Sequence, residues 1–458
     1  MRTDERGLSL TTSSDTAVMH YDTTIRHYLE YRTDTVDYLR HTLTADPEFV
    51  MGHCLKGYLA ILASTVTTHS DVRQSLDFAT ARVQGLTRRE QTHVAALRAW
   101  FTGDLLTACG LWDDILLAHP TDLLALRLQH FVTFWTGKSF ALRDGIARAL
   151  PAWDEQTPGY SYVLGMYAFG LEESGDYATA EAKGKRAVAL NPDDLWAIHA
   201  VAHVLEMQGR LHDGMVWLSY PRDVWSDRNA VKGHLWWHAA LYAFELGEYD
   251  RVLTLYDQVI WKPENAFYID IQNAAALLWR LEFHGVEVGN RWQELAQICE
   301  ARLDDHVLAF TDLHVMVALV MAGRYQAAAR FLASLQAFAA TPDNFAASTM
   351  QAVTLPMCES ILAYGKGAYQ DAVARLLPIR YDYACIGGSH AQRDVFAQFL
   401  IAAALKAERW PLACALLAER VALRPNSRGT WLKYAQTLDK LGHTARTEAA
   451  QQRAAALC

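Results

Sequence analysis

The sequence predicts an all-α protein in which antiparallel helix pairs stack into one α-solenoid, curled around a concave groove or pocket. Three observations predict it. Long segments carry apolar residues at helical spacing, and prolines, which interrupt helices, number only 12 in 458 residues. Glycine-centred turns recur along the chain from Gly103 to Gly442. No Gly/Ser-rich stretch is long enough to act as a linker.

The elements follow from that punctuation. The clearest unit is Ser161 to Asp194, SYVLGMYAFGLEESGDYATAEAKGKRAVALNPDD. Its length matches the tetratricopeptide period of about 34 residues. Gly175-Asp176-Tyr177 makes its turn, Ala180 and Ala187 are small where the helices cross, and Asn191-Pro192 ends it. The unit from Arg89 to Pro120 turns at Gly103-Asp104, with Ala108 at the crossing. The next begins near Leu123 and turns at Gly137-Lys138. Later turns fall at Gly209-Arg210, Gly247-Glu248-Tyr249, Gly285, Gly323-Arg324-Tyr325, Gly367-Ala368-Tyr369 and Gly442, and Arg424-Pro425-Asn426 closes another unit. Insertions interrupt the period at 226–232 and 340–348. Residues 1–88 read as an N-terminal helical cap, and residues 89–458 as tetratricopeptide-like repeats continuous with it.

Composition narrows the function. Hydrophobic residues make up 51% and charged residues 20%, so the chain can bury a large core. The net charge is −9 and Lys and Arg are scattered, which argues against nucleic acid as partner. The 14 Trp, 20 Tyr and 18 His suit a lined groove. Met1 to Asp22 has no apolar run of the signal-peptide kind, and no stretch reaches the roughly 18 apolar residues that span a bilayer. The seven cysteines, Cys54, Cys109, Cys299, Cys358, Cys385, Cys414 and Cys458, form no C-x-x-C pair. A cytoplasmic protein with reduced, buried thiols is expected.

Several long stretches carry a resemblance. They include DPEFVMGH from Asp46, LTRREQTHVAAL from Leu86, LWDDILLAHPTDLLALR from Leu111, SYVLGMYAFGLEE from Ser161 and WAIHAVAHVLEMQ from Trp196. WHAALYAFELGEYD from Trp237, LLWRLEFHGVEVGNRW from Leu277 and IGGSHAQRDVFAQFL from Ile386 extend it over nearly the whole chain. On these the chain resembles the tetratricopeptide repeat protein 38 family. The resemblance implies an α-helical repeat fold and brings no settled activity. It also implies that His390 stands where relatives carry asparagine.

The chemistry-bearing residues are concentrated in two first helices. In LWAIHAVAHVLEMQ, counting back from Gly209, the packing face is Ile198, Val201, Ala202 and Leu205. His199, His203 and Glu206 then share the groove face, at spacings of four and three. In GHLWWHAALYAFELG the packing face is Trp236, Ala239, Ala240 and Ala243, and the groove face His234, Trp237, His238 and Glu245. Neighbouring first helices lie side by side, so His199, His203, Glu206, His234 and His238 are expected in one cavity.

A second candidate is IGGSHAQRDVF. Ser389 caps a helix whose free N–H groups, with Arg393, suit a carboxylate or phosphate. His390 and Asp394 join it, although an Arg393–Asp394 surface pair explains the charges equally well. Tyr162, Glu172 and His314 lie on groove sides. Asp312, Asp270 and Asn273 read mainly as capping residues, and Thr87 with Glu90 as a capping box beside Arg88, Arg89 and His93. No P-loop, G-x-G-x-x-G or G-x-S-x-G occurs in its required context.

The sequence thus points to a solenoid that binds a small polar molecule, without a cofactor. His199, His203, Glu206 and His238 serve as acid–base groups, and His234, Trp237, Tyr162, His314, Ser389, His390, Arg393 and Asp394 hold the substrate. One alternative is an adaptor that grips a peptide or protein. The other is a divalent metal on His199, His203, His234 and His238, although the H-E-x-x-H pattern of zinc peptidases is absent.

Overall fold

The structure, a computed structural model, describes residues 1–263 and 266–457. Helix pairs run through the described residues. Leu123–Trp135 pairs with Ser139–Ala149, Tyr160–Glu173 with Tyr177–Leu190, Leu195–Met207 with Leu211–Trp217, and Val231–Glu245 with Tyr249–Leu255. Four more pairs begin at Tyr268, Ala309, Leu355 and His390, and Arg428–Lys440 with Thr444–Ala455 ends the array. The protein is therefore an all-α solenoid of the tetratricopeptide type. The sole sheet among the described residues is an antiparallel ribbon of Arg2–Thr3 against Ser9–Leu10. Residues 1–88, set apart in the sequence as a cap, hold two further pairs, Asp15–Leu29 with Thr35–Ala45 and Val50–Leu62 with His69–Ala81.

The turns explain why glycine is so regular a marker. Gly103, Gly137, Gly175, Gly209, Gly247, Gly285, Gly323, Gly367 and Gly442 all have φ between 66° and 86°. That region strains any residue with a Cβ. Aspartates after several turns cap the next helix: Asp104 accepts from Thr107 N–H and Asp176 from Thr179 N–H. Between His390–Lys406 and Trp410–Leu423 the positive-φ position is Glu408, at 54°, so the sequence shows no glycine there.

The coil closes on itself. Thr65 and Val66 bond to Asp305, Phe345 N–H donates to Gly103 O, and Asn229 N–H donates to Tyr31 O at 2.7 Å. Asn426 donates to Gln208 O and Lys433 to Phe283 O. The helix His390–Lys406 lies against the inner helices, where Arg280 donates to Ala391 O at 3.1 Å. The concave face, expected as a groove or pocket, is thereby closed into a core. One apolar cluster runs from Leu195 through Leu277, Val317 and Phe396 to Ala450, and a second fills the N-terminal third.

Cys54, Cys299, Cys358 and Cys414 are buried free thiols, Cys109 and Cys385 are half-buried, and Cys458 lies outside the described residues. Among the described residues, no helix is long and apolar enough to cross a membrane.

Candidate functional site

Helix Leu195–Met207 starts at Asp194, whose carboxylate caps Ala197 N–H at 3.0 Å. Its packing residues Ile198, Val201, Ala202 and Leu205 are buried, and so is the opposite face. His199, His203, His234 and His238 are between 0% and 3% exposed. Each offers one ring nitrogen, and these four atoms lie within 4.8 Å of one another. His203 Nε2 and His199 Nε2 are 2.9 Å apart.

Two of the rings are tied on the far side. His238 Nδ1 meets Glu206 Oε2 at 2.9 Å, and His234 Nδ1 meets Asn273 Oδ1 at 2.7 Å. His203 Nδ1 lies 3.6 Å from Glu172 Oε2, too far for a hydrogen bond. For His238 and His234 an outer oxygen fixes the ring and leaves Nε2 uncommitted outside the cluster. His238 Nε2 has no hydrogen-bond partner, nor has His199 Nδ1 or either oxygen of Glu172. Aromatic rings wall the cluster. Phe169 stacks on His199 at 5.4 Å, Trp237 stacks on His234 at 5.2 Å, and Trp196 lies 4.8 Å from His199.

Electrostatics follow from burial. Desolvation, then the neighbouring histidines, hold His199 and His203 well below their ordinary pKa. Burial, then His238, takes His234 to about 3 against the opposing bond from Asn273. These rings are neutral at pH 7 and keep their lone pairs. Burial pushes Glu206 up, but the His238 bond and the charges of Arg424 and Arg280 outweigh it, and the carboxyl sits below its usual range. Glu172 has no such help. Burial, then Glu173 and Glu206, pushes it well above the usual range.

The second candidate is organised differently from its reading in the sequence. Ser389 caps as expected, in a reciprocal box with Gln392. The anion at this helix start is the chain's own Glu173, whose Oε1 accepts from His390 N–H at 3.0 Å. The His390 ring, exposed, and Arg393 also face Glu173, at 3.4 and 3.6 Å. Asp394 is not an Arg393 partner at the surface. It is bound by Arg420, with Arg424 at 3.6 Å, and these guanidinium groups overcome burial to hold its carboxyl far below the usual range.

Other residues are placed apart. Tyr162 donates to Glu30 at 2.7 Å, at the end of its helix remote from Glu172. His314 gives Nδ1 to Phe310 O, packs on Phe396, and is taken by burial to about 4. Glu245 is half-buried and opens into a cleft of about 480 Å³ with Tyr177, Glu206, Arg210, Arg424 and Ser427. Asp312 is not a cap; it sits in the first turn and meets His306 at 3.3 Å. Asp270 does accept Phe267 N–H, but Asn273 orients His234 rather than capping.

The sequence reading passed over Arg127, His130, Glu173 and Arg424. A signal existed for Arg127: it precedes Gly137 by ten residues, as His199 precedes Gly209 by ten. Glu172 and Glu206 likewise each stand three before a turn glycine.

No family model matches the chain. Among solved structures it is similar to a human IFIT1 dimer with PPP-AAAA, at 14% identity and TM-score 0.40, covering 98% of this chain and 96% of that one. The same protein with m7Gppp-AAAA gives 14% identity and TM-score 0.39, covering 95% and 99%. The P58(IPK) TPR domain gives 13% identity and TM-score 0.23, covering 80% and 92%.

Proposed function

We propose that the closed centre holds one divalent transition-metal ion on His199, His203, His234 and His238, and that the protein is a metal-dependent enzyme acting on a small polar substrate. The observation that carries this is the grouping of four buried ring nitrogens within 4.8 Å of one another, with His238 tied from behind by Glu206 and His234 by Asn273. Metal-ligating imidazoles are oriented in that way by outer oxygens. Ligand nitrogens bind at about 2.1 Å, so around one tetrahedral ion they stand about 3.4 Å apart. The widest pair of the cluster must close by up to about 1.4 Å to reach that. Four imidazoles favour zinc, copper, iron or nickel over magnesium or calcium. His199, His203 and His234, neutral rings, bring no charge of their own, and the Glu206 carboxylate can balance part of the ion's charge in a dry interior.

The metal-free acid–base reading fits less well, because nitrogens within 4.8 Å of one another leave no room for an organic molecule between them. A peptide adaptor needs an open inner surface, and helix His390–Lys406 covers it here. Membership of the tetratricopeptide repeat protein 38 family, which we include in the proposal, brings no settled activity and leaves the assignment to the geometry.

Elemental analysis of tag-free protein tests the proposal. About one first-row transition-metal ion per chain is expected, lost in His203→Ala and His238→Ala while their helical circular dichroism persists. Full stoichiometry in both variants overturns it. So does wild-type protein that takes up no zinc, iron, nickel or copper.

A further inference from the structure

Beside the histidine cluster lies a second concentration of buried, unpartnered polar atoms, and its centre is a cation. Arg127, on helix Leu123–Trp135, is 4% exposed. Its Nη2 donates to Tyr31 Oη at 2.6 Å, and its Nε has no partner. No carboxylate forms an ion pair with it among the described residues. The acid that influences it, Asp194, spends Oδ1 on the Ala197 N–H, and burial pushes its carboxyl up to about 7. A buried guanidinium without a counter-anion is costly, so such groups are normally paired.

Its neighbours are unfilled too. Trp196 Nε1 and both ring nitrogens of His130 are buried without hydrogen-bond partners, and the Tyr28 hydroxyl lies against the Arg127 guanidinium. The Arg127 guanidinium lies 5.6 Å from the rings of Tyr28 and Tyr31 and 5.0 Å from Trp196. Trp196 in turn touches His199, so a single indole separates the cation from the proposed metal ligands. Buried water can bond to hydroxyl and ring nitrogen atoms but cannot neutralise the charge.

We infer that Arg127, with Tyr28 and Tyr31, is the subsite for the acidic group of a small organic monocarboxylate, held beside Trp196 and His130 next to the histidine centre. One guanidinium matches one negative charge, and its fork and the two phenols match the two oxygens of a carboxylate. The aromatic walls suit an apolar body behind that group. The inference rests on the metal reading for what happens to the ligand, but not for its binding.

Titration calorimetry on the purified full chain tests it, with acetate and benzoate as probes against neutral acetamide and benzamide, and with inorganic phosphate as a third arm. At least one carboxylate should bind ten-fold or more tightly than its amide. Arg127→Met should abolish that preference while leaving the metal content unchanged, and should raise the melting temperature of the ligand-free chain, because it removes an uncompensated charge. Tyr31→Phe, which keeps the ring, should weaken the carboxylate several-fold and serves if Arg127→Met does not fold. Equal binding of acid and amide, or no binding of either, overturns the inference. Unchanged carboxylate binding in Arg127→Met, or tighter binding of phosphate, overturns it as well. Metal without carboxylate binding sinks this inference alone, and carboxylate binding without metal sinks only the metal reading.

Discussion

Around Asp122 and around His203 the chain buries the same ingredients: histidine, carboxylate and aromatic rings. The Asp122 cluster closes its bonds. Arg89 donates to Asp122 at 2.6 Å and to Ser9 O at 2.8 Å, and His93 spans Asp122 at 3.1 Å and Tyr58 at 3.3 Å. Tyr58 Oη donates to His93 O, and the second Asp122 oxygen caps Ala125 N–H. None of these side chains has an orphaned buried polar atom among the described residues, whereas His199, His203, His238 and Glu172 all do. Native interiors satisfy buried polar groups almost everywhere. A cluster that is complete suits holding repeats together, and one left with unpaired buried nitrogens is, on the proposal above, arranged around a further group.

Matched carboxylate-to-amide substitutions break or sharpen this contrast. Asp122→Asn removes the counter-charge of a buried Arg89 and should cost about 3–5 kcal/mol, read from urea unfolding midpoints. Glu172→Gln swaps a carboxyl that burial already keeps protonated for an isosteric amide, and neither of its oxygens is hydrogen-bonded. In metal-free protein it should change stability by less than about 1 kcal/mol. Equal costs for the two would mean that the histidine cluster is scaffold after all.

The next effect is smaller and separates orientation from ligation. Glu206→Gln leaves all four rings in place but loosens the back of His238. It should lower metal affinity about 10- to 100-fold, or roughly 1.4–2.7 kcal/mol, in competition titrations against a chelator. His234→Ala should lose more. If Glu206→Gln binds metal as the wild type does, Glu206 is a bystander.

What the sequence made legible follows the same division. Turn glycines, helix pairs and the shared face of His199, His203, Glu206, His234 and His238 are matters of local register, and periodicity exposes them. The closure of the groove is not local. It comes from helix His390–Lys406 meeting helices that begin nearly 200 residues earlier in the sequence, at Leu195. For that reason Glu173 could not be foreseen as the anion at the His390 helix start, nor Arg420 as the partner of Asp394. Asn273 looked like a cap because capping is what Asn does near a helix start, and only the neighbouring helix shows that its side chain orients His234 instead.

The smallest effect is a pH dependence confined to the completed cluster. Burial raises the Asp122 carboxyl, but His93, Arg89 and the Ala125 N–H outweigh it and hold the folded value far below the unfolded one. A carboxylate depressed on folding contributes stability above its unfolded pKa of about 3.9, and that contribution is lost as pH falls. Between pH 5.5 and 3.5 only the upper part of the loss is reached, roughly 0.7 kcal/mol by linkage. The stability gap between wild type and Asp122→Asn should therefore narrow by about that much across this interval, because the amide does not titrate. Urea midpoints at the two pH values measure it. A gap that stays constant or widens as pH falls would show that Asp122 is not held ionised by Arg89 and His93, and the completed cluster would lose its claim to be the scaffold of the pair.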